Sequence, residues 1–302
     1  MGILDQLIVR TLPLVPRAIV ARLSRPYIAG ARLEEAVACV KDLNEKGFRT
    51  TIDILGEFVT NFDQAIESKN GYMEVLEAIE EHQLDTNISI KPTSFGLLLD
   101  RDKSESLLRE ILTKVNAMDN FMRLDMEDSP CTTLTIDLYE RFRADYPGKV
   151  GVVLQSYLRR TVGDVHKITA AKAGSNFRLC KGIYVEPEKI AFKGYQEVRD
   201  NFAASLEAMF AGGAFVGIAT HDDYLVEKAE ETIQRLGLGP DRYEFQMLLG
   251  VRERLRDDIK SRGHNMRIYV PFGKDWYGYS IRRLKENPAL AGTLFKAMFI
   301  KN

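Results

Sequence analysis

Arg282 and Arg283 stand side by side in YSIRRLKE, with Tyr279 just before them and Glu286 just behind. On a helix, neighbours point about 100° apart, so adjacent arginines do not normally share a face. Both are long enough to converge on one anion lying against the helix, and two guanidiniums suit bidentate capture of a small carboxylate. Arg282 and Glu286 are four apart, as are Tyr279 and Arg283, so Glu286 can orient Arg282 from behind. A surface helix of mixed charge is the plain alternative, and the placement of the other polar residues decides between them.

Lys91 in SIKPT closes an apolar run. It reads either as a rim lysine that snorkels or as a charge paired with Asp125 on the next run and bordering a ligand. Asp125 lies in RLDMEDS with Glu127 and Asp128. A divalent metal could use such a cluster. However, the chain has only four histidines and neither HxH nor HExxH, and free rim carboxylates are the simpler reading of Glu127 and Asp128. RLCKGIY places Arg178 and Lys181 three apart, with Gly182 permitting close backbone approach, which makes a grip for an anion or cofactor. Cys180 between them reads as packing. ATHD sets Thr220 and His221 just before a helical pattern, where N-terminal N–H groups attract phosphate. Neither GxGxxG nor GxxxxGK[ST] occurs, so a nucleotide would be held in neither of those ways.

These residues share one context: each ends a short apolar, β-rich run. The runs fall at 49–55, 87–91, 120–125, 150–155, 176–181, 214–220, 243–248 and 266–270. Amphipathic helical patterns follow at 62–82, 102–118, 131–145, 162–172, 188–210, 223–236, 251–261 and 275–286, with one more helix near 33–46 and a further start at Pro288. Eight strands alternating with eight helices predict an α/β fold, a (βα)8 TIM-like barrel with extra N-terminal helices. A doubly wound open sheet is the alternative. The runs read as apolar on both parities, as expected of strands buried on two sides. The expected division is a helical arm over 1–48 and a catalytic barrel with a C-terminal helix over 49–302.

In such barrels chemistry sits at the C-terminal strand ends. Those ends also carry Asp53 and Glu57, Gln155, Arg159 and Arg160, Tyr184, Asp222, Glu244 and Gln246, and Tyr269. So many polar tips on independent strands point to one shared cavity, the rival being a structural ring of salt bridges.

Composition limits the remaining classes. The formal net charge of −1 gives no general affinity for nucleic acid or acidic lipid. Three scattered cysteines without a CxxC pair suggest a reduced, intracellular chain. No apolar run approaches the roughly 20 residues that span a bilayer. The first 25 residues mix apolar side chains with arginines and read as a helical arm packed on the domain, broken by Pro13 and Pro16. An amphipathic segment touching a membrane is the other reading.

With SIKPTSFG, RLDMEDS, VVLQSYLRRT, RLCKGIYVEP, ATHDD, EFQMLLGVR and YVPFGKDWYGYSIRRLKENP in order from about 49 to 290, the chain resembles proline dehydrogenase, in its short monofunctional bacterial form. The resemblance implies a distorted (βα)8 barrel with FAD bound noncovalently at the strand ends. It also implies hydride transfer from C5 of L-proline to flavin N5, Δ1-pyrroline-5-carboxylate as product, and a membrane quinone as electron acceptor. A pyrroline-5-carboxylate dehydrogenase would be a partner, and the location cytoplasmic, peripheral on the inner face of the membrane. By the same resemblance Arg282 and Arg283 hold the proline carboxylate, supported by Glu286, and Lys91, Asp125, Tyr184, Leu248 and Tyr269 wall the substrate. Arg178 sits near flavin N5, with Gln155, Lys181, Gly182, Thr220 and His221 among the cofactor contacts. Ile183 departs from the alanine common in the family and puts the substrate fit in doubt. Two rivals stay open: a Schiff-base lyase using Lys91 or Lys181, and a non-catalytic barrel that binds an amino acid.

Overall fold

Parallel strands joined by helical crossovers turn always in the same right-handed sense, and eight of them can close on themselves. The computed structural model describes residues 17–171 and 174–286, and within them the sheet is a closed barrel. Its strands are β1 (Arg49–Ile54), β2 (Thr86–Ile90), β3 (Met122–Leu124), β4 (Val150–Gln155), β5 (Asn176–Cys180), β6 (Phe215–Ala219), β7 (Tyr243–Leu248) and β8 (Met266–Phe272). All pair in parallel, and β1 pairs with both β2 and β8. Among the described residues two α-helices precede the barrel, α1 (Arg17–Ser24) and α2 (Leu33–Glu45). Around it run α3 (Phe62–His82), α4 (Arg101–Ala117), α5 (Ser129–Asp145), α6 (Thr161–Thr169), α7 (Tyr195–Ala211), α8 (Asp223–Leu236), α9 (Glu253–Ser261) and α10 (Trp276–Glu286). None of the described helices is long and apolar enough to cross a membrane.

Local chemistry sets the helix ends. The Asn61 side chain accepts the Gln64 N–H at 3.0 Å before α3, and Asp100 accepts those of Asp102 and Lys103, both at 3.1 Å, before α4. Each such cap contributes about 1 kcal/mol. Gln83 and Gly237 end α3 and α8 in the left-handed conformation, with φ of +50° and +61°. The helix expected from 188 begins only at Tyr195. Residues 188–190 form a turn, Ala191 bridges to Leu158, and the Glu197 carboxylate accepts the Gly194 N–H at 2.8 Å, which fixes the later start.

Apolar residues on both strand parities were expected, and the structure corrects this. The outward parity is apolar: Ile88, Leu124, Val152, Phe177, Ile218, Phe245 and Ile268 are buried beneath the helices. The inward parity is polar. Low in the lumen, Glu244 Oε1 accepts from Arg267 Nε at 2.5 Å and from Gln246 Nε2 at 2.7 Å. Arg267 also donates to Thr50 O at 2.6 Å, and Arg123 binds both carbonyls of Asn176, at 3.0 Å on the main chain and 2.6 Å on the side chain. Burial would raise the Glu244 carboxyl, but Arg267 outweighs it and holds the group below the usual range. Charges in the lumen are sustained by pairing where a counter-charge is present, as for Glu244 with Arg267, and for Arg123 by hydrogen bonds to the Asn176 carbonyls.

Room for these side chains comes from two strand glycines. Gly151 faces Arg123 in the β3–β4 register and Gly217 faces Arg178 and Glu244 across β5–β7. A Cβ at Gly151 would fall on the Arg123 guanidinium and 2.7 Å from Asn176 O, while one at Gly217 would fall on the Gln246 amide.

The N-terminal helices serve the last barrel unit. Arg17 of α1 lies over the Tyr277 ring of α10 at 4.8 Å. The linking segment pairs with the end of β8, Ala29 N donating to Pro271 O at 2.9 Å and Gly273 N to Gly30 O at 3.0 Å. Ile28, Leu55 and Tyr279 bury one another at that junction. Pro13, Pro16 and Pro288 lie outside the described residues.

Replacing Gly151 with alanine should lower stability by about 1–3 kcal/mol, the usual cost of overpacking. Urea unfolding monitored by far-ultraviolet circular dichroism checks this; an unchanged midpoint would show that the lumen has slack.

Candidate active site

Alternation brings every second strand residue to the lumen, so the inward set can be counted up from the bottom of each strand. Ser89 and Lys91 follow from β2, Asp53 from β1, Asp125 from the end of β3, Arg178 from β5, Gln246 from β7 and Tyr269 from β8. They meet at the C-terminal mouth. Asp125 is the centre: Oδ1 accepts from Ser89 Oγ at 2.6 Å and from Arg178 Nη1 at 2.7 Å, and Oδ2 accepts from Tyr269 OH at 2.9 Å. Arg178 also donates to Ser89 Oγ at 3.0 Å and to Gln246 Oε1 at 2.5 Å, and its guanidinium lies 5.3 Å from the Tyr269 ring centre. Burial, and after it the Asp125 charge, keep the Tyr269 phenol protonated as a donor.

Lys91 does not pair with Asp125 as expected. Its Nζ donates to Asp53 Oδ1 at 2.6 Å, on the preceding strand, because the oxygens of Asp125 are already engaged across the lumen. Burial would lower the Lys91 pKa; Asp53 and then Asp125 outweigh this and hold it raised. An ammonium kept charged is a poor amine nucleophile, which weighs against the Schiff-base reading at Lys91. Tyr72 of α3 seals the pair from below, donating to Ser89 O at 2.7 Å.

The remaining expected residues divide by loop. At the end of β4, Gln155 Nε2 donates to Met126 O at 3.1 Å, while its buried Oε1 has no hydrogen-bond partner. The loop after β5 carries Lys181, Gly182, Ile183 and Tyr184. Lys181 is tied to Asp222 and lies over the Tyr195 ring at 4.5 Å. Gly182 has φ of +102°, and a Cβ there would collide with the Tyr157 ring, so both conformation and space demand glycine. Tyr184 OH reaches Glu57 Oε2 at 3.4 Å on the loop after β1. Ile183 is exposed, at 45%. Cys180 is inert, its thiol pushed up to about 12 by burial.

Thr220 ends β6 and its Oγ1 accepts the Asp222 N–H at 3.1 Å. His221 Nε2 accepts the Leu248 N–H at 3.0 Å, which makes that nitrogen the unprotonated one and locks the ring to the end of β7. Arg282, Arg283 and Glu286 belong to α10, but their side chains lie outside the described residues.

Glu127 and Asp128 are not free rim carboxylates. Asp128 precedes α5, and its Oδ1 lies 3.2 Å from Cys131 Sγ. Glu127 is 1% exposed and takes both the N–H of Thr93, at 3.0 Å, and its hydroxyl. Burial raises its carboxyl to about 7, against the pull of the Thr93 bonds and Lys91, with Glu57 adding to the rise. Sequence reading missed two further residues, Ser89 and Glu186, and the partners of a third, the strand-end Asp222. Ser89 shares its parity with Lys91 and could have been found by counting in twos. Glu186 caps the start of α5 from the β5–α7 loop, binding Ser129 N at 2.6 Å and Ser129 Oγ at 2.7 Å. Asp222 gathers Lys181, Arg199 and Tyr195, with Arg199 at 2.6 and 2.9 Å and Tyr195 at 2.9 Å. Burial opposes these bonds, yet they hold the Asp222 carboxyl well below the usual range. Nothing local marks Glu186, whose partner lies 57 residues away, and the N-cap position of Asp222 before α8 does not announce Arg199, 23 residues before it.

A closed parallel barrel with a preorganised, charge-paired mouth at its C-terminal end defines an α/β-barrel enzyme. Comparison with known proteins narrows the class. The family model for proline dehydrogenase matches residues 36–295, and the chain belongs to the proline dehydrogenase family, a family of oxidoreductases. It is 34% identical to proline dehydrogenase 2 of Bacillus subtilis over 271 residues, 90% of this chain and 88% of that one. It is 30% identical to the proline dehydrogenase of Deinococcus radiodurans over 280 residues, 91% of this chain and 90% of that one. The bifunctional protein PutA of Escherichia coli is 24% identical over 87% of this chain and 23% of its own length. Among solved structures, proline utilization A from Bdellovibrio bacteriovorus, inactivated by N-propargylglycine, superposes with a TM-score of 0.81 at 22% identity. That match covers 88% of this chain and only 33% of the larger protein, and it confirms the barrel fold.

The raised Glu127 carboxyl has a stability consequence whose sign is fixed. A carboxyl raised in the folded state favours folding at low pH, and that contribution is lost as pH rises from the unfolded value near 4.5 through about 7. The parent should therefore lose up to about 3 kcal/mol relative to Glu127→Gln over that window. Paired urea titrations at pH 4.5 and 7.5 check it; parallel curves for the two proteins would show that Glu127 ionises normally.

Proposed function

We propose that the chain oxidises L-proline to Δ1-pyrroline-5-carboxylate with noncovalent FAD at the barrel mouth and passes the electrons to a membrane quinone. The observation that carries this reading is the Asp125 centre, where side chains from β2, β5 and β8 converge on one carboxylate at the end of β3. Membership of the family supports the substrate and the reaction class.

The residues present fit the cofactor. Gln155 offers a buried acceptor oxygen that no protein group uses. Arg178 and Lys181, each paired with a carboxylate, bring N–H donors to the end of β5, and Thr220 and His221 lead into the N-terminus of α8. Bound FAD would supply the two-electron acceptor, taking hydride from C5 of the proline ring at its N5. Everything else is positioning and charge. Arg282 and Arg283 hold the substrate carboxylate, and Glu286 steadies their helix. Lys91, Asp125, Tyr184, Leu248 and Tyr269 wall the ring. Asp125 orders this wall, its two oxygens receiving donors from Ser89, Arg178 and Tyr269. Arg178, Lys181, Gly182, Gln155, Thr220 and His221 face the cofactor. The product is then handed to a pyrroline-5-carboxylate dehydrogenase, and the chain meets its quinone peripherally at the inner face of the membrane.

Purified protein should be yellow and should bleach when L-proline is added without oxygen. Arg283→Met should keep the flavin and raise the KM for proline at least about tenfold, the loss of one charged hydrogen-bonding partner. Steady-state kinetics check the second point, and equal KM values would remove Arg283 from the carboxylate site. Colourless protein that FAD cannot reconstitute would sink the whole reading.

A further inference from the structure

We infer that Glu127 and Thr93 are positioning residues that fix the loop after β1 and the turn after β2 against the loop after β3, so that Glu57 and Lys91 reach the mouth. The inference rests on the proposed reading of that mouth as the substrate site.

The loops meet at Thr93, within the short helical turn Pro92–Phe95. Its N–H donates to Glu127 Oε2 at 3.0 Å and its hydroxyl donates to Glu127 Oε1. With its proton committed to Glu127, the Thr93 hydroxyl turns a lone pair to the Phe58 N–H, which donates at 3.0 Å. Two more bonds join the same pieces: Val59 N to Thr93 O at 3.4 Å, and Ser94 Oγ to Gly56 O at 2.8 Å. Residues 56, 58 and 59 are thus tied to Thr93 and Ser94. Glu57, between them, carries the carboxylate that meets Tyr184 from the opposite side of the mouth. Lys91 leads directly into the turn, its carbonyl accepting the Ser94 N–H at 3.0 Å.

Two physical facts show that this joint holds a conformation and does not merely fill space. Phe58 has φ of +54°, a region that a bulky residue enters only where its surroundings over-determine it. The residue is 39% exposed, so packing alone does not hold it there. The bond to Thr93 is one of the constraints that does. Glu127 is buried, and both of its hydrogen-bond donors belong to Thr93. Moving the turn would leave a buried carboxylate bare, the costliest state available to it. The raised pKa of that carboxyl, caused first by burial, agrees with so enclosed a site. A hydroxyl that donates to one loop and accepts from another cannot be replaced by a methyl group of the same size.

The test compares the parent with Thr93→Val, Thr93→Ser and Glu127→Gln. Hydrogen exchange is followed by mass spectrometry on peptides spanning residues 55–61, alongside steady-state proline oxidation. Thr93→Val should exchange at least about tenfold faster in that segment, with the barrel strands unchanged. Its KM for proline should rise roughly five- to tenfold, with kcat moving less than about threefold. Thr93→Ser, which keeps the hydroxyl, should restore both. Exchange and KM within about twofold of the parent in Thr93→Val, or no rescue by serine, overturn the inference. If the valine variant fails to fold by circular dichroism, Glu127→Gln decides: the same loosening and KM rise support the inference, and parent-like values refute it. A parent that does not oxidise proline at all defeats the substrate reading, while the exchange comparison still decides the positioning role.

Discussion

A barrel whose lumen is lined with charged side chains stays folded only if each charge finds its counter-charge there. At the mouth that requirement is met by Asp125. One carboxylate binds Ser89, Arg178 and Tyr269, and so fastens β3 to β2, β5 and β8 at once. Losing a single partner would leave a buried charge uncompensated, which costs more than the pair itself contributes. The network therefore specifies geometry more than it supplies stability. The Arg178 guanidinium is held from Gln246 below and Asp125 above, and the Tyr269 phenol donates to Asp125 Oδ2. A site built this way needs little rearrangement at the moment of reaction.

The low pair of Glu244 and Arg267 and the mouth layer of Asp53, Lys91, Asp125 and Arg178 obey the same rule but differ in consequence. Below, Arg267 and Arg123 also bond to main-chain carbonyls, and Gly151 and Gly217 give up their side chains to make room. That layer is a plug. Above, the partners are side chains on the ends of strands, where loops open to a ligand. Each mouth loop is then tied to another. Glu127 holds the turn after β2, Glu186 holds the start of α5, and Tyr184 crosses to Glu57. The segment RLDMEDS does three jobs in five residues: Asp125 turns into the lumen, Glu127 into the neighbouring turn, and Ser129 is held by the loop after β5.

The fold was largely legible because two periodicities alternate in the chain. Runs such as 150–155 and 243–248 end where the strands end, and Asn61, Asp100 and Gly237 mark helix boundaries with their own chemistry. The one misplaced helix start, near 188, follows a stretch whose backbone is consumed by the bridge to Leu158. The site was legible as a set of strand ends but not as a set of pairs. Lys91 was expected on Asp125, its neighbour toward β3, and the structure gives it to Asp53 toward β1. Spacing along a strand states which face a residue takes, and it cannot state which of several carboxylates on that face is already saturated by partners from across the barrel. Glu127 failed for a related reason. Its burial depends on how the turn after β2 folds back over it, and nothing within RLDMEDS encodes that.

Charge counting at the mouth explains why the proposed reading needs the helix after β8. Lys91 is neutralised by Asp53 and Arg178 by Asp125, so the two cations of the wall enter as compensated pairs. A ligand that brings a carboxylate gains little from a cation whose field is already cancelled a few ångströms away, since the pair presents a dipole rather than a charge. Recognition of an anionic head therefore calls for positive charge from outside the wall. The sequence places two adjacent arginines on α10, a helix braced by α1 and by the segment paired with β8. On this argument the wall sets shape and orientation, and α10 supplies the charge. The brace also accounts for a helical arm ahead of the first strand, since a clamp carried on the last barrel helix can be no better placed than that helix is held.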